Sequence, residues 1–206
     1  MKKNNQVLAM LETGVFVSIA VVLDIIFGAI YSFPMGGSIS VAMLPIFIIA
    51  SRRGLKYGLV AGLLYGVIQT MIKVYFLSIP QYIMDYLVSF MVVGFAGIIK
   101  DTLKKPSRFV QAILLGSFLR LISATIAGLL YWRAYIPEEI GFMNEIFGGD
   151  LYGLFASDNA VIIFSAFLYN ALYMIPSAIL CVLVGLIIHK RGILAYHIDR
   201  LENGEK

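Results

Sequence analysis

The sequence is poor in the residues that most often carry chemistry. It holds one cysteine and two histidines in 206 residues. A single thiol, Cys181, excludes an intramolecular disulfide framework and any cysteine-based zinc site. Set inside an apolar run, it reads as a small packing residue. His189 and His197 stand among basic residues at the end of the last apolar segment and read as interfacial or tail residues. The sequence contains no HExxH, no Walker A loop and no Gly-x-Ser-x-Gly. The chain therefore cannot hydrolyse ATP through a P-loop of its own, and no catalytic residues, cofactor or metal are expected. Charge is scarce too: 14% of residues are Asp, Glu, Lys or Arg, against about 25% in a soluble domain. The net charge of +4 does not indicate nucleic acid, because no basic face interleaved with aromatics occurs.

Apolar residues fill the space that charge leaves. They make up 60% of the chain, and the mean hydropathy is +0.90. One soluble core of this size could not hide so much apolar surface, so the expected solvent is a lipid bilayer. The expected fold is an all-α integral membrane protein, residues 1–206 forming one domain of six transmembrane helices. The apolar segments run over about 8–33, 38–51, 55–72, 81–99, 108–132 and 160–189, with a long loop over about 133–159. The first is too long for a signal-peptide core and lacks an evident cleavage site, so it is expected to be retained as a span. Pro45, inside the second segment, predicts a kink. Gly54, Gly58, Gly62 and Gly66 recur every fourth residue and predict a close helix contact on one face of the third span.

Loop charge sets the expected orientation. Arg52, Arg53 and Lys56 lie between spans two and three. Lys100, Lys104, Lys105 and Arg108 lie between four and five, and Lys190, Arg191 and Arg200 follow six. The intervening loops are uncharged, nearly so, or acidic: Glu138, Glu139, Glu145, Asp150 and Asp158 follow span five. Positive charge collects on the cytoplasmic side. Both termini are therefore expected on the cytoplasmic side of a cell membrane that the chain crosses several times.

Charges within apolar segments are the first functional candidates in a membrane protein. They are Asp24 in span one, Asp85 near the start of span four and Arg120 in span five. Arg120 could pair with either acid; alternatively Asp85 is the counter-charge of a cationic ligand. Tyr82, Tyr86, Tyr131, Trp132, Tyr135, Tyr169 and Tyr173 gather at the same presumed outer ends. Some belong to an interfacial belt, but an aromatic face beside a carboxylate also suits a flat cationic heterocycle. Asn170 can both donate to and accept from a ring edge. In span one, Gly14 and Ser18 form a small-residue pair able to pack in the bundle or against a partner.

These residues resemble a known family. Gly36-Gly37-Ser38-Ile39-Ser40 through Met43-Leu44-Pro45 to Arg52-Arg53-Gly54-Leu55-Lys56 carry the likeness. So do Gly62-Leu63-Leu64-Tyr65-Gly66, Gln81 through Asp85-Tyr86 to Gly94-Phe95-Ala96-Gly97, and Tyr169-Asn170. The chain is similar to the thiamine-specific substrate-binding (S) component of energy-coupling factor (ECF) vitamin transporters over nearly its whole length. The resemblance implies a six-helix fold that captures a vitamin from outside with high affinity. It also implies a transmembrane coupling subunit and two ABC-type ATPase subunits as partners. The family's acid matches Asp85, its following tyrosine Tyr86, its basic residue of helix five Arg120, its stacking tryptophan Trp132 and its helix-six asparagine Asn170. Gly14 and Ser18 fall where relatives dock the coupling subunit.

The chain departs from the family at two pocket positions. Ala124 and Ser165 stand where relatives carry a histidine and a tyrosine, and Gly36-Gly37 replaces an aromatic of the first loop. The ligand is therefore expected to be thiamine, or else a precursor or another small heterocyclic vitamin. An autonomous ion-coupled permease, with Asp24 as its protonation site, is the rival mechanism.

Overall fold

The computed structural model describes residues 2–34, 36–72, 78–131, 136–150, 152–154 and 157–192. Among them are seven helices: α1 (Lys2–Ile30), α2 (Leu44–Arg53), α3 (Leu55–Ile72), α4 (Ile79–Ile98), α5 (Pro106–Tyr131), α6 (Ile136–Phe147) and α7 (Asp158–Lys190). Helix α4 is composite: an α turn, a π segment over Ile83–Val88, a short α stretch and a 3₁₀ end over Val92–Ile98.

The polarity of the helices is that of a bundle built for lipid. In α1 the buried face is small and polar: Ala9, Thr13, Val17, Ala20 and Asp24, at spacings of three and four residues. Its opposite face exposes Val15, Ile19, Val22 and Ile26. Hydrocarbon tails solvate large apolar side chains as well as a protein core does, so small residues are the ones drawn inward. Among the described residues, five helices are long and apolar enough to cross a membrane: α1, α3, α4, α5 and α7.

The second expected span takes a different form. Residues 38–43 are not helical, and α2 has only ten residues, about 15 Å of rise against a hydrocarbon core of about 30 Å. Pro45 does not kink a longer helix; it sits in the first turn of α2, where its missing N–H costs nothing. Leu44 to Ala50 are buried without a break, as befits a helix apolar on every side. The irregular stretch before it survives because protein covers it: Ser40 to Met43 are buried, and the Ser40 N–H donates to Ser177 Oγ of α7 at 3.0 Å.

The glycine stripe packs α3 directly onto the backbone of α4. A Cβ on Gly58, Gly62 or Gly66 would lie 2.7, 2.2 or 2.3 Å from the carbonyl oxygens of Gly94, Phe90 and Tyr86. This contact holds the π segment against a firm support, and that segment carries Asp85 and Tyr86.

The expected long loop contains a helix. In α6 the buried residues Ile136, Glu139, Ile140 and Met143 follow the i, i+3, i+4, i+7 pattern of one helix face. That face packs with Phe33, Val161 and Tyr169, closing one end of the bundle.

Candidate functional site

One cavity of about 470 Å³ opens within the bundle, at the end that α6 covers. Its size lies in the range of small-molecule sites, about 300–1,000 Å³. Five of the six ligand-site residues named from the sequence line it: Asp85, Tyr86, Arg120, Tyr169 and Asn170. The sixth, Trp132, lies outside the described residues.

Each side chain is positioned by its helix. Asp85 sits in the π segment of α4, and Gln81, one turn earlier, donates Nε2–H to its Oδ2 at 2.6 Å. Gln81 is fully buried, so the carboxylate has a fixed neighbour. π segments are rare and often accompany functional sites; here the wide turn sits at the cavity wall. Arg120 of α5 packs over the Phe90 ring, its Cζ 4.3 Å from the centroid, and its Nε is buried without a hydrogen-bond partner. The ring face offsets part of the cost of holding a guanidinium there.

Asn170 of α7 has half of its capacity engaged. Nδ2 donates to Ala166 O at 2.9 Å, and Oδ1 accepts from the Tyr173 hydroxyl at 2.6 Å. One N–H and one lone pair stay available to a ligand edge. The Tyr169 hydroxyl is spent on structure: it donates to Gly36 O at 3.1 Å and pins the first loop to α7. Gly37 lies under the Tyr173 ring, at φ +89°, where a Cβ would stand 2.7 Å from ring carbon. A side chain at that position would need both a rare backbone conformation and a displaced tyrosine. This loop still offers the cavity an aromatic. Phe33 lines it, packed edge-on against Tyr169 and Phe142.

Several polar lining residues were not singled out as ligand contacts from the sequence. Asp24 of α1 is buried, accepts from Gln69 Nε2 of α3 and lies beside Tyr65, whose hydroxyl accepts from the same nitrogen at 2.9 Å. Gln81 is the second buried amide. Glu139, on the inner face of α6, has a buried Oε2 with no partner. Burial, reinforced by neighbouring Glu138, pushes the Glu139 carboxyl up to about 7. No cluster of three or more His, Cys, Asp or Glu able to hold a metal occurs among the described residues.

Other sequence candidates lie elsewhere. Gly14 and Ser18 sit on the exposed face of α1, with open space beside Gly14. His189 contacts Thr102 O at 3.1 Å, tying the end of α7 to the α4–α5 connection, and His197 lies outside the described residues. Arg53 makes two hydrogen bonds to Glu12, at 2.7 and 2.8 Å, with Arg52 at 3.4 Å. The basic turn is thereby fastened to α1.

Comparison with known proteins adds an identity to this geometry. The family model described as thiamine transporter protein matches residues 10–144. The thiamine transporter ThiT of Bacillus subtilis strain 168 is 32% identical over 195 residues, spanning 89% of this chain and 91% of the relative. The chain belongs to the thiamine transporter family. A second family member, the thiamine transporter ThiT of Lacticaseibacillus paracasei, is 26% identical over 157 residues, 67% of this chain and 75% of that one. The solved structure of ThiT from Listeria monocytogenes superposes with a TM-score of 0.70, covering 91% of this chain and 96% of that chain. At 22% identity that likeness shows the fold. Against the family pattern, Ala124 lines the cavity, whereas the Ser165 hydroxyl is turned onto its own helix, at 2.8 Å from Val161 O.

Proposed function

We propose that this membrane protein of the thiamine transporter family is the thiamine-capturing subunit of an ATP-driven uptake system. It crosses the membrane six times, counting the broken second segment, with both termini in the cytoplasm. The ligand enters from outside, and a coupling subunit with two ATPase subunits powers its delivery. The exposed Gly14–Ser18 face of α1 is the docking face for that machinery.

The observation that carries the reading is the convergence of Asp85, Tyr86, Arg120 and Asn170 on one cavity of ligand size. Thiamine is a permanent cation with two flat rings. Asp85 offsets its charge, and Tyr86 and Trp132 provide ring contacts. Asn170 reads a polar edge with its remaining donor and acceptor. The orientation draws support from charge: the Arg52–Arg53 turn lies at the far end of α2 and α3 from cavity-lining Ala42 and Gln69.

Titrating thiamine against Trp132 fluorescence tests this. Quenching is expected with a binding free energy of about −8 to −12 kcal/mol. Asp85→Asn is expected to cost about 2–5 kcal/mol, the scale of losing one partner of a buried charge pair. Equal thiamine affinity in the variant would sink the site assignment.

A second reading has one observation in its favour. Asp24 is buried within the last two turns of α1, at the cavity wall, as a coupling-ion site would require. In that case thiamine uptake persists in proteoliposomes that contain this chain and no ATPase, and Asp24→Asn abolishes it.

A further inference from the structure

We propose that the carboxylate of Glu139 is a second anionic contact for the cation this cavity takes, which makes α6 part of the binding site as well as its cover. The inference rests on reading the site as one for a cationic heterocycle.

The inner stripe of α6 holds three apolar residues, Ile136, Ile140 and Met143, each at most 2% exposed, and one glutamate. A carboxyl gains nothing from such a position by packing. Glu139 is 6% exposed, lines the cavity, and leaves Oε2 buried without a partner. Taking a carboxyl out of water without a compensating contact is costly, so an unpartnered carboxyl oxygen on a residue that lines a ligand-sized space marks a place for a partner.

The charges around the cavity say which kind of partner. Among the described lining residues the acids are Asp24, Asp85 and Glu139, and the one base is Arg120. Three carboxyls against one guanidinium give a formal charge of −2 with Glu139 ionised and −1 with it protonated. The groups that face it from α7 are the phenols of Tyr169 and Tyr173, and Tyr173 lies within Coulombic range of Arg120, Asp85 and Glu139. On its own helix Glu138 adds only repulsion. A cation in this space meets an excess of negative charge that ionisation of Glu139 deepens.

The sign of the pH dependence follows. In the empty protein, burial holds the Glu139 carboxyl at about 7 instead of 4.5. Its protonated form thus stabilises the empty cap at low pH, and that contribution is lost as pH rises from 4.5 through about 7. A bound cation favours the ionised form. Binding therefore releases a proton below about 7, and affinity falls on acidification by at most about tenfold per pH unit.

Calorimetric titration of the full-length protein with thiamine, in two buffers of different ionisation heat, reads both quantities. At about pH 6 the native protein is expected to release close to one proton and to bind several-fold more weakly than at about pH 8. Glu139→Gln preserves the shape of the side chain. It should release no proton at that site, bind about tenfold more weakly at about pH 8, and lose the pH dependence. Native protein that binds thiamine without proton release overturns the inference whether or not the variant folds, and leaves the site reading standing. Proton release that persists in Glu139→Gln overturns it as well, since the proton then belongs to another group. Native protein that binds no thiamine overturns the site reading and this inference together.

Discussion

Two walls of the same cavity are built on opposite principles. The α3–α4 wall is backbone on backbone: Gly58, Gly62 and Gly66 admit the carbonyls of Gly94, Phe90 and Tyr86 with no room for a methyl group. The α6–α7 wall is side chain on side chain. Phe33, Phe142 and Tyr169 meet edge to face at centroid distances of 5.9 to 6.2 Å, and hydrogen bonds from the Tyr169 hydroxyl to Gly36 O and from the Ser40 N–H to Ser177 Oγ anchor the loop. The first wall holds Asp85 and Tyr86 in a fixed place. The second wall supplies Glu139 and Phe33 from segments held mainly by side-chain packing. The contrast assigns rigidity to the residues expected to fix the ligand's charge, and adaptability to the cover.

The largest expected effect breaks the first wall. Gly62→Ala forces a Cβ to within 2.2 Å of Phe90 O. Alanine gains helix propensity of up to about 1 kcal/mol, but the overpacking should outweigh it, for a net loss of about 2–3 kcal/mol. Thermal unfolding in detergent reads this, with Gly14→Ala as the contrast, because open space surrounds Gly14. If the two variants unfold at the same temperature, the α3–α4 contact is not the constraint described.

The second wall should yield by a smaller and more local amount. Met143 is fully buried beneath α6. Met143→Ala removes contacts worth about 2 kcal/mol, the low end for a buried large-to-small change because the cover can settle into the space. The loss should register as faster amide exchange in residues 136–147, with the midpoint of global unfolding nearly unchanged. Global destabilisation equal to that of Gly62→Ala would erase the distinction between the walls.

Legibility in the sequence divides along similar lines. The long apolar runs located α1, α3, α5 and α7, and the four-residue glycine period located the crowded face of α3. Asp85 and Arg120 stood out because a charge in an apolar run is conspicuous. Gln69 and Gln81 did not, although both are buried at the cavity, since a neutral amide leaves no mark on charge or hydropathy. The break at 38–43 was hidden for a related reason: its apolar composition is the same whether the segment is helical or folded irregularly under cover. Pro45 is compatible with a kink or with a helix start, and only the neighbouring chain decides which. In α6 the period Ile136, Ile140, Met143 was present, but Glu139 falls on the same stripe and made the segment read as an acidic loop. Its position on the buried face depends on Phe33, more than a hundred residues earlier, and Tyr169, thirty residues later.

The smallest effect isolates one of the hydrogen bonds that join the first loop to α7. Tyr169→Phe keeps the ring and its edge-on contacts with Phe33 and Phe142, and deletes the donor to Gly36 O. A hydrogen bond of this kind contributes about 1 kcal/mol net. If Tyr169 acts only by pinning the loop, thiamine affinity should fall by about that amount, roughly fivefold, through faster dissociation, with association unchanged. A much larger loss would mean that the hydroxyl also contacts ligand, and then the second wall would share the fixing role assigned here to the first. No change in either rate would mean that aromatic packing and the Ser40–Ser177 hydrogen bond seat the loop without this contact, and the contrast between the two walls would become sharper.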